Sequence, residues 1–372
     1  IASLGKVSIA DFLAQATAGT YDVESGNALA VTFDDASVAA EDLLAANNLT
    51  TGLITLDNAG SAGTLTGNTT DLVAVYTASE LTTPTITGVD DYALTVSNAY
   101  TTDANGVSTN DGILSAADLV SLNGSTSGLI TIDPFVTDGT TDNSQQTITT
   151  LSGSYDDVHA VLTADKLVAD STADTTGSEA AAIGISGLFI AAGGGANGDG
   201  TTIAVTLTDS SVSVANINDI VDNYTTIAAD TANNIAQQNG IGAVTATITE
   251  TDMDTLDDLT TTGGNFTVTV ADASVDTNKL SVLDGDTTGT ITVTSSTLTG
   301  DFNDTGVAAD NVNLTLDSSG ISGLGSIAVT SGDTSNTVAE VNTVSAKTTG
   351  IVTASITETT MTALADINET GN

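Results

Sequence analysis

The phrase TATITETDM at 245–253 returns at 353–361 as TASITETTM. A chain that rewrites one phrase is an array of like units, each burying its apolar side only against its neighbours. After the first copy comes TLDDLTTTGGNFTVTV, in which a strand opens at Phe266. After the second comes TALADINETGN, reaching Asn372 where that strand is due, so the repeat predicts an array that breaks off mid-unit.

Aligned on its own repeats, the chain gives five segments of one layout, at 28–52, 92–128, 203–224, 266–289 and 327–350. Each opens with a β-branched run such as FTVTV or IAVTL, the alternation of a half-buried strand. A polar Asp/Ser/Thr/Asn turn follows, then a stretch of helical spacing, and Thr-Thr-Gly or Thr-Ser-Gly closes most of the segments. Those turn residues are good helix N-caps, and glycine is a natural stop. New runs begin directly after Gly52, Gly128, Gly289 and Gly350 and lead into a related half-unit. LTGNTTDLVAVYTA (65–78) and LSGSYDDVHAVLTA (151–164) represent it closely, LTGDFNDTGVAAD (298–310) more loosely. Short return segments, ITGVDDYALTV (86–96), ISGLFIAA (185–192) and ISGLGSIAVT (321–330), carry the chain to the next strand.

Strands joined by such crossovers run parallel and turn right-handed. The expected fold class is therefore mainly β: a right-handed parallel β-solenoid, or a β/α solenoid with short helices and turns between strands. Its coils are about 22–36 residues long. The runner-up is a string of small β-sandwich modules, and the helix-spaced crossovers count against it. Three regions follow: N-terminal coils over 1–133, an irregular loop-rich insertion over 134–202, and C-terminal coils over 203–372, ending mid-repeat. SIADFLAQATAG (8–19) has the serine cap and glycine end of a short amphipathic helix.

The chain carries 4 basic residues, all lysine, against 47 acidic ones, for a net charge of −43. That excludes nucleic acid as a partner, because cationic side chains must replace its condensed counterions. It equally excludes an anionic membrane surface. Cations are the natural partners. Cysteine is absent, so there is neither a disulfide framework nor a thiolate metal site. No apolar run is long enough for a transmembrane segment. Sparse charge, abundant Thr, Ser, Asn, Asp and Gly, and the lack of arginine point to an extracellular, cell-surface setting.

Metal binding is the best-supported chemistry. TDANGVSTNDGILSAADL (102–119) offers Asp103, Asn105, Asn110, Asp111 and Asp118 as candidate calcium ligands. Asp111-Gly112 with Asp118 resembles the second half of an EF-hand-type loop, where glycine permits the sharp turn and an acid closes the site. Val107 at the first ligand position departs from that pattern, and the competing reading is an Asx-rich turn before a helix. GGGANGDG (193–200) resembles half of a glycine- and aspartate-rich calcium repeat. Asp34 with Asp35, Asp284 with Asp286, and Asp301 with Asp304 stand at recurrent turns, each read as a cap or solvated turn and together as collectors of cations. Catalysis has little to work with. His159 is the only histidine, there is no thiol, the phosphate-binding Gly/Lys loop is missing, and Lys6, Lys166, Lys279 and Lys347 are scattered. The expectation is that the chain is not an enzyme.

The order AVT-x-SDAS, ADL-x-x-LDG-x-TTG, LTG-x-x-x-DVLAVY, ISGLG is carried here by 31–76, 92–133, 203–222, 266–300 and 321–350. It resembles the repeat arrays of giant cell-surface and S-layer-like proteins of marine cyanobacteria, the swimming-motility-associated type among them. The resemblance implies an exported, calcium-associated surface or filament protein and carries no catalytic residues over. The expected function is an extracellular structural protein forming a surface layer, filament or stalk, with calcium as its cofactor and further copies of itself and divalent cations as partners. The alternative is an adhesin or phage-fibre-like array that grips surface glycans with the loops of 134–202.

Overall fold

Alternating apolar and threonine positions leave a strand with one side for a core and one for solvent. In a computed structural model of the chain those runs are short parallel strands. The structure describes residues 3–19, 27–57, 63–97, 113–133, 150–163, 167–169, 204–224, 226–227, 238–239, 242–261, 263–302 and 311–368. The chain falls into two bodies, 1–206 with 224–242, and 207–223 with 243–372.

The first body runs β1 (Ser3–Val7), α1 (Ile9–Thr17), β2 (Ala30–Phe33), β3 (Ser37–Ala39), α2 (Ala40–Leu49), β4 (Ile54–Leu56), β5 (Thr64–Gly67), α3 (Thr69–Ser79), β6 (Ile86–Thr87), β7 (Ala93–Ser97), β8 (Ile113–Ser115), α4 (Ala116–Ser125), β9 (Ile130–Asp133), β10 (Thr150–Gly153), α5 (Tyr155–Thr163) and β11 (Leu167–Ala169). Its strands lie in the orders β1-β2-β4-β6 and β3-β5-β7-β9-β11, with β8 beside β10, and all these pairs are parallel. Helices α1 to α5 pack each against the next. β12 (Ala204–Leu207) crosses the boundary between the bodies, and β13 (Thr226–Ile227) pairs antiparallel with β14 (Gln238–Asn239).

The second body runs α6 (Val214–Tyr224), β15 (Val244–Thr247), α7 (Met253–Leu256), β16 (Asn265–Val270), β17 (Ser274–Asp276), α8 (Thr277–Asp286), β18 (Ile291–Val293), β19 (Thr297–Gly300), α9 (Val312–Thr315), β20 (Ile321–Ser322), a 3-10 turn (Leu324–Ser326), β21 (Ala328–Ser331), α10 (Val338–Ser345), β22 (Val352–Thr353) and α11 (Met361–Leu364). Here β15-β16-β18-β20 and β17-β19-β21-β22 are parallel.

Register aligns like with like. Val38, Leu65, Leu94 and Ile130 pair in succession across one sheet, and Val31, Ile54 and Ile86 across another, all of them buried. Each such side chain contributes about 1.5–3 kcal/mol through burial, shared with the strands of the neighbouring repeats. Threonines make the outer ladder, Thr32–Thr55–Thr87 and Thr66–Thr95–Thr131. The Thr87 hydroxyl donates to that of Thr55 at 3.4 Å.

The class is α/β rather than mainly β. Eleven α-helices lie among the described residues, the described strands are mostly parallel with β13–β14 antiparallel, and none of these sheets closes into a barrel. The predicted amphipathic segment at 8–19 is α1, capped where Ser8 Oγ accepts from the Asp11 N–H at 3.1 Å. Within 134–202, β10 and α5 repeat the layout of β5 and α3.

Two return segments cross between sheets through a left-handed glycine: from β6 at Gly88 to β7, and from β20 at Gly323 through the 3-10 turn to β21. Gly88 has φ +83° and Gly323 φ +90°, a region L-residues avoid. A Cβ there would lie 2.3 Å from the Leu56 carbonyl oxygen or 2.0 Å from that of Val293. At these two steps between sheets the phrase Ile-Thr/Ser-Gly supplies the glycine that the close backbone approach requires. ISGLFIAA (185–192) lies outside the described residues.

Candidate functional site

The residues that recur in this chain converge on the seams between consecutive repeats. Thr-Thr-Gly and Thr-Ser-Gly form the first clamp. Thr50 Oγ1 donates to the Leu29 carbonyl at 2.7 Å, and Thr126 Oγ1 to that of Tyr92 at 2.9 Å. Thr287 does the same to Phe266 at 3.1 Å and Thr348 to Ile327 at 2.7 Å. In each case the same hydroxyl accepts the N–H of the following glycine, Gly52, Gly128, Gly289 or Gly350. The second residue, Thr51, Ser127, Thr288 or Thr349, gives its backbone N–H to a carbonyl two positions earlier on the same neighbouring segment. Glycine is required because the backbones touch: a Cβ would sit 2.3, 2.2, 2.1 and 2.1 Å from the carbonyl oxygens of Leu29, Tyr92, Phe266 and Ile327.

Carboxylates form the second clamp. The opening N–H of a helix has no intrahelical acceptor, and here a later repeat supplies one. Asp35 accepts from Ile9 N–H at 2.8 Å, Glu250 from Val214 at 3.0 Å, Asp272 from Met253 at 2.8 Å and Glu358 from Val338 at 3.0 Å. Asp333 holds the Phe302 N–H in the same manner at 3.0 Å. Negative charge beside a helix N-terminus is also favoured by the helix dipole. The third clamp is asparagine: Asn218 on α6 bridges the Asp258 carbonyl and Thr260 N–H, and Asn342 on α10 bridges Asp366 and Asn368 likewise.

The lysines join the same seams. Lys6 pairs with Asp57 at 3.0 Å, Lys279 with Asp254 at 2.7 Å, and Lys347 with Asp317 while also donating to the Asn313 carbonyl. Asp254 raises the Lys279 pKa through that hydrogen bond. Lys166 lies outside the described residues.

The other candidates sort as follows. Asp103, Asn105, Asn110 and Asp111 lie outside the described residues. Asp118 sits in the first turn of α4, its backbone N–H held by Ser115 Oγ at 3.2 Å. Among the described residues no three His, Cys, Asp or Glu side chains gather where they could hold a metal ion. GGGANGDG (193–200) and Asp304 are outside the described residues. Asp35 is a cap, and Asp284 accepts from the Ser318 hydroxyl at 2.9 Å. Asp286 is pushed above the usual carboxylate range by burial and the nearby Asp257 charge. Asp252 is lowered by hydrogen bonds from the side chain and backbone of Thr255. The His159 ring lies on α5 with its centroid 5.7 Å from that of Tyr155. No described helix is long and apolar enough to cross a membrane.

Sequence reasoning assigned Asp35 to a turn, did not single out Glu250, Asp272, Asp333 or Glu358, and missed that these acids reach across a seam. The signal was present: Glu250 and Glu358 are the same letter of the duplicated phrase.

No family model, curated protein or solved structure matches this chain.

Proposed function

We propose that this chain is an extracellular structural repeat protein. In this reading it is a right-handed β/α solenoid whose stacked coils self-assemble into a surface layer, filament or stalk, with calcium offsetting its charge. The observation that carries the reading is the recurrence of one clamp, Thr-Thr/Ser-Gly against the carbonyls of an earlier segment, at 50–52, 126–128, 287–289 and 348–350. These recurrent side chains are committed to joining one repeat to the next, as expected where stability is a sum of neighbour interfaces. A net charge of −43 opposes such stacking, and divalent cations would reduce the repulsion. Asp103, Asn105, Asn110, Asp111 and Asp118 are the residues proposed to hold calcium. Oxygen ligands suit that ion.

Electron microscopy and thermal unfolding of the purified chain, in calcium, in magnesium and in EDTA, test both parts. Filaments or sheets in calcium and a lower Tm in EDTA are expected. Unfolding curves that superimpose remove the calcium part, and a chain that stays monomeric at high concentration in calcium removes self-assembly.

A further inference from the structure

Six helices, α1, α2, α4, α6, α8 and α10, open two residues beyond a register pair with the next repeat, and the facing residue there is glycine or an acid. Val38 pairs with Leu65, Leu114 with Leu151 and Val275 with Leu298. Two positions on, Ala40 faces Gly67, Ala116 faces Gly153 and Thr277 faces Gly300. Val7 pairs with Phe33, Val212 with Ile248 and Asn336 with Ile356. Two positions on, Ile9 gives its N–H to Asp35, Val214 to Glu250 and Val338 to Glu358. Small residues therefore meet glycine, and large apolar residues meet a carboxylate. Met253 opposite Asp272 and Phe302 opposite Asp333 keep the same rule. Every one of these residues on the earlier repeat is buried.

The two kinds of seam differ in how closely the backbones run. At the glycine seams a ladder leads up to the helix: Ser37–Ala39 beside Thr64–Thr66, Ile113–Ser115 beside Thr150–Ser152, and Ser274–Asp276 beside Thr297–Thr299. A Cβ on Gly67 would lie 3.0 Å from the Ala40 Cβ, and one on Gly153 2.7 Å from that of Ala116, so neither side has room to grow. At the Glu250 and Glu358 seams the ladder is a single bridge. The wider gap takes valine on one side and a carboxylate that spans to its N–H at 3.0 Å on the other.

We propose that this facing position is the pairing code of the array, the residue that decides which repeat seats on which. A repeat carrying Leu-Thr/Ser-Gly (65–67, 151–153 and 298–300) fits a helix that opens with alanine or threonine. A repeat carrying Ile-Thr-Glu (248–250 and 356–358) fits one that opens with valine. Mismatch is unfavourable in both directions. A large side chain set against glycine is driven into the adjoining backbone. Glycine set against valine strands the buried N–H that the acid now serves, and alanine set before the acid leaves a void. Repeats so alike in their letters present one another with many wrong neighbours, and building penalties against those is how specificity is gained. The code acts within the folded chain, whatever the array assembles into.

Val214→Ala, Glu250→Gly and the double change form a cycle in the full chain. It is read by native-state hydrogen exchange of the Val212 and Thr249 amides, which bond across this seam to the Thr247 and Val212 carbonyls at 2.7 and 2.9 Å. Each single change should raise the opening constant about tenfold. The double change converts the acid seam into a small one, and its opening constant should fall at least about fivefold short of the product of the two. A double change that reaches the product overturns the code, because the two positions then act independently; so do single changes that leave exchange unaltered. Should the glycine variant not fold, Glu250→Ala gives the same cycle without added backbone freedom. At a glycine seam, Ala116→Val should raise exchange of the β10 amides about tenfold and Ala116→Ser less than about threefold. Valine tolerated as well as serine would also overturn the proposal.

Discussion

The Thr287 hydroxyl joins both ends of one residue on the neighbouring repeat: it accepts the Phe266 N–H at 2.8 Å and lies 3.1 Å from the Phe266 carbonyl oxygen. It also accepts the Gly289 N–H at 2.9 Å. One buried oxygen thereby satisfies two backbone donors, one across the seam and one in its own turn.

Replacing that oxygen by a methyl group of similar size tests the clamp. Thr287→Val strands the two N–H groups that the hydroxyl now serves. At about 1–3 kcal/mol for each buried unsatisfied group, a loss of about 3 kcal/mol is expected. Thr287→Ser keeps the oxygen and should cost about 1 kcal/mol or less. Urea unfolding measures both, and hydrogen exchange at Phe266 and Gly289 should report the valine variant alone. Equal losses for the two variants would assign the effect to the methyl group.

Two glycines of one repeat should respond with opposite signs. A Cβ on Gly285, inside α8, meets nothing within 4 Å. Gly285→Ala should therefore stabilise by about 0.5–1 kcal/mol, from helix propensity. Gly289→Ala drives a Cβ to 2.1 Å from the Phe266 carbonyl oxygen, and relieving it must pull the repeats apart. A loss of about 3 kcal/mol is expected. Thermal unfolding of the two variants decides it, and a neutral Gly289→Ala would mean that the seam has slack.

Asp286 ends α8, where partial burial, the Asp257 charge and the helix C-terminal dipole all disfavour its carboxylate. Its pKa in the fold is raised above the unfolded value. Its favourable contribution is thus complete below the unfolded carboxylate pKa and lost as pH rises through the folded one. At neutral pH the group is a net cost. Asp286→Asn should raise the Tm at pH 7, and the gain should vanish on acidification below the carboxylate range. Asp252 has the opposite sign: its lowered pKa makes a contribution present at neutral pH and lost as pH falls through the folded value. A Tm advantage of Asp286→Asn that persists at low pH would point to a packing effect.

Much of this architecture was legible in the letters. FTVTV, the short crossover segments and Thr-Thr-Gly gave the strand, the helix and the recurring break, because each follows from local periodicity and capping chemistry. The weight of helix was underestimated: crossovers such as AEDLLAANNL have a weak amphipathic pattern, and α2 owes its place to packing between α1 and α3. Reaching acids such as Asp35 and Asp272 could not be told from solvated turn residues, since a bond to a backbone N–H 26 or 19 positions away leaves no trace in local spacing. The step across sheets at Gly88 and Gly323 was likewise visible as a recurring phrase and silent as geometry.

The step at Gly88 also sets the alkaline limit expected for the first body. Tyr76 on α3 is 2% exposed and donates its hydroxyl to the Val89 carbonyl at 3.0 Å, pinning the segment that follows Gly88. Burial, with smaller contributions from Asp90, Asp91 and Glu80, pushes its pKa to about 12 from 10.0. The unfolded phenol ionises first, so stability is complete below pH 10 and is lost as pH rises toward 12. Two units correspond to about 2–3 kcal/mol. Tyr76→Phe should lose about 1 kcal/mol at neutral pH through the missing hydrogen bond, yet fall less steeply than the parent between pH 10 and 12. Urea midpoints across that range measure it, alongside the ultraviolet absorbance of phenolate. A parent and variant with parallel alkaline limbs would show that Tyr76 does not control this loss.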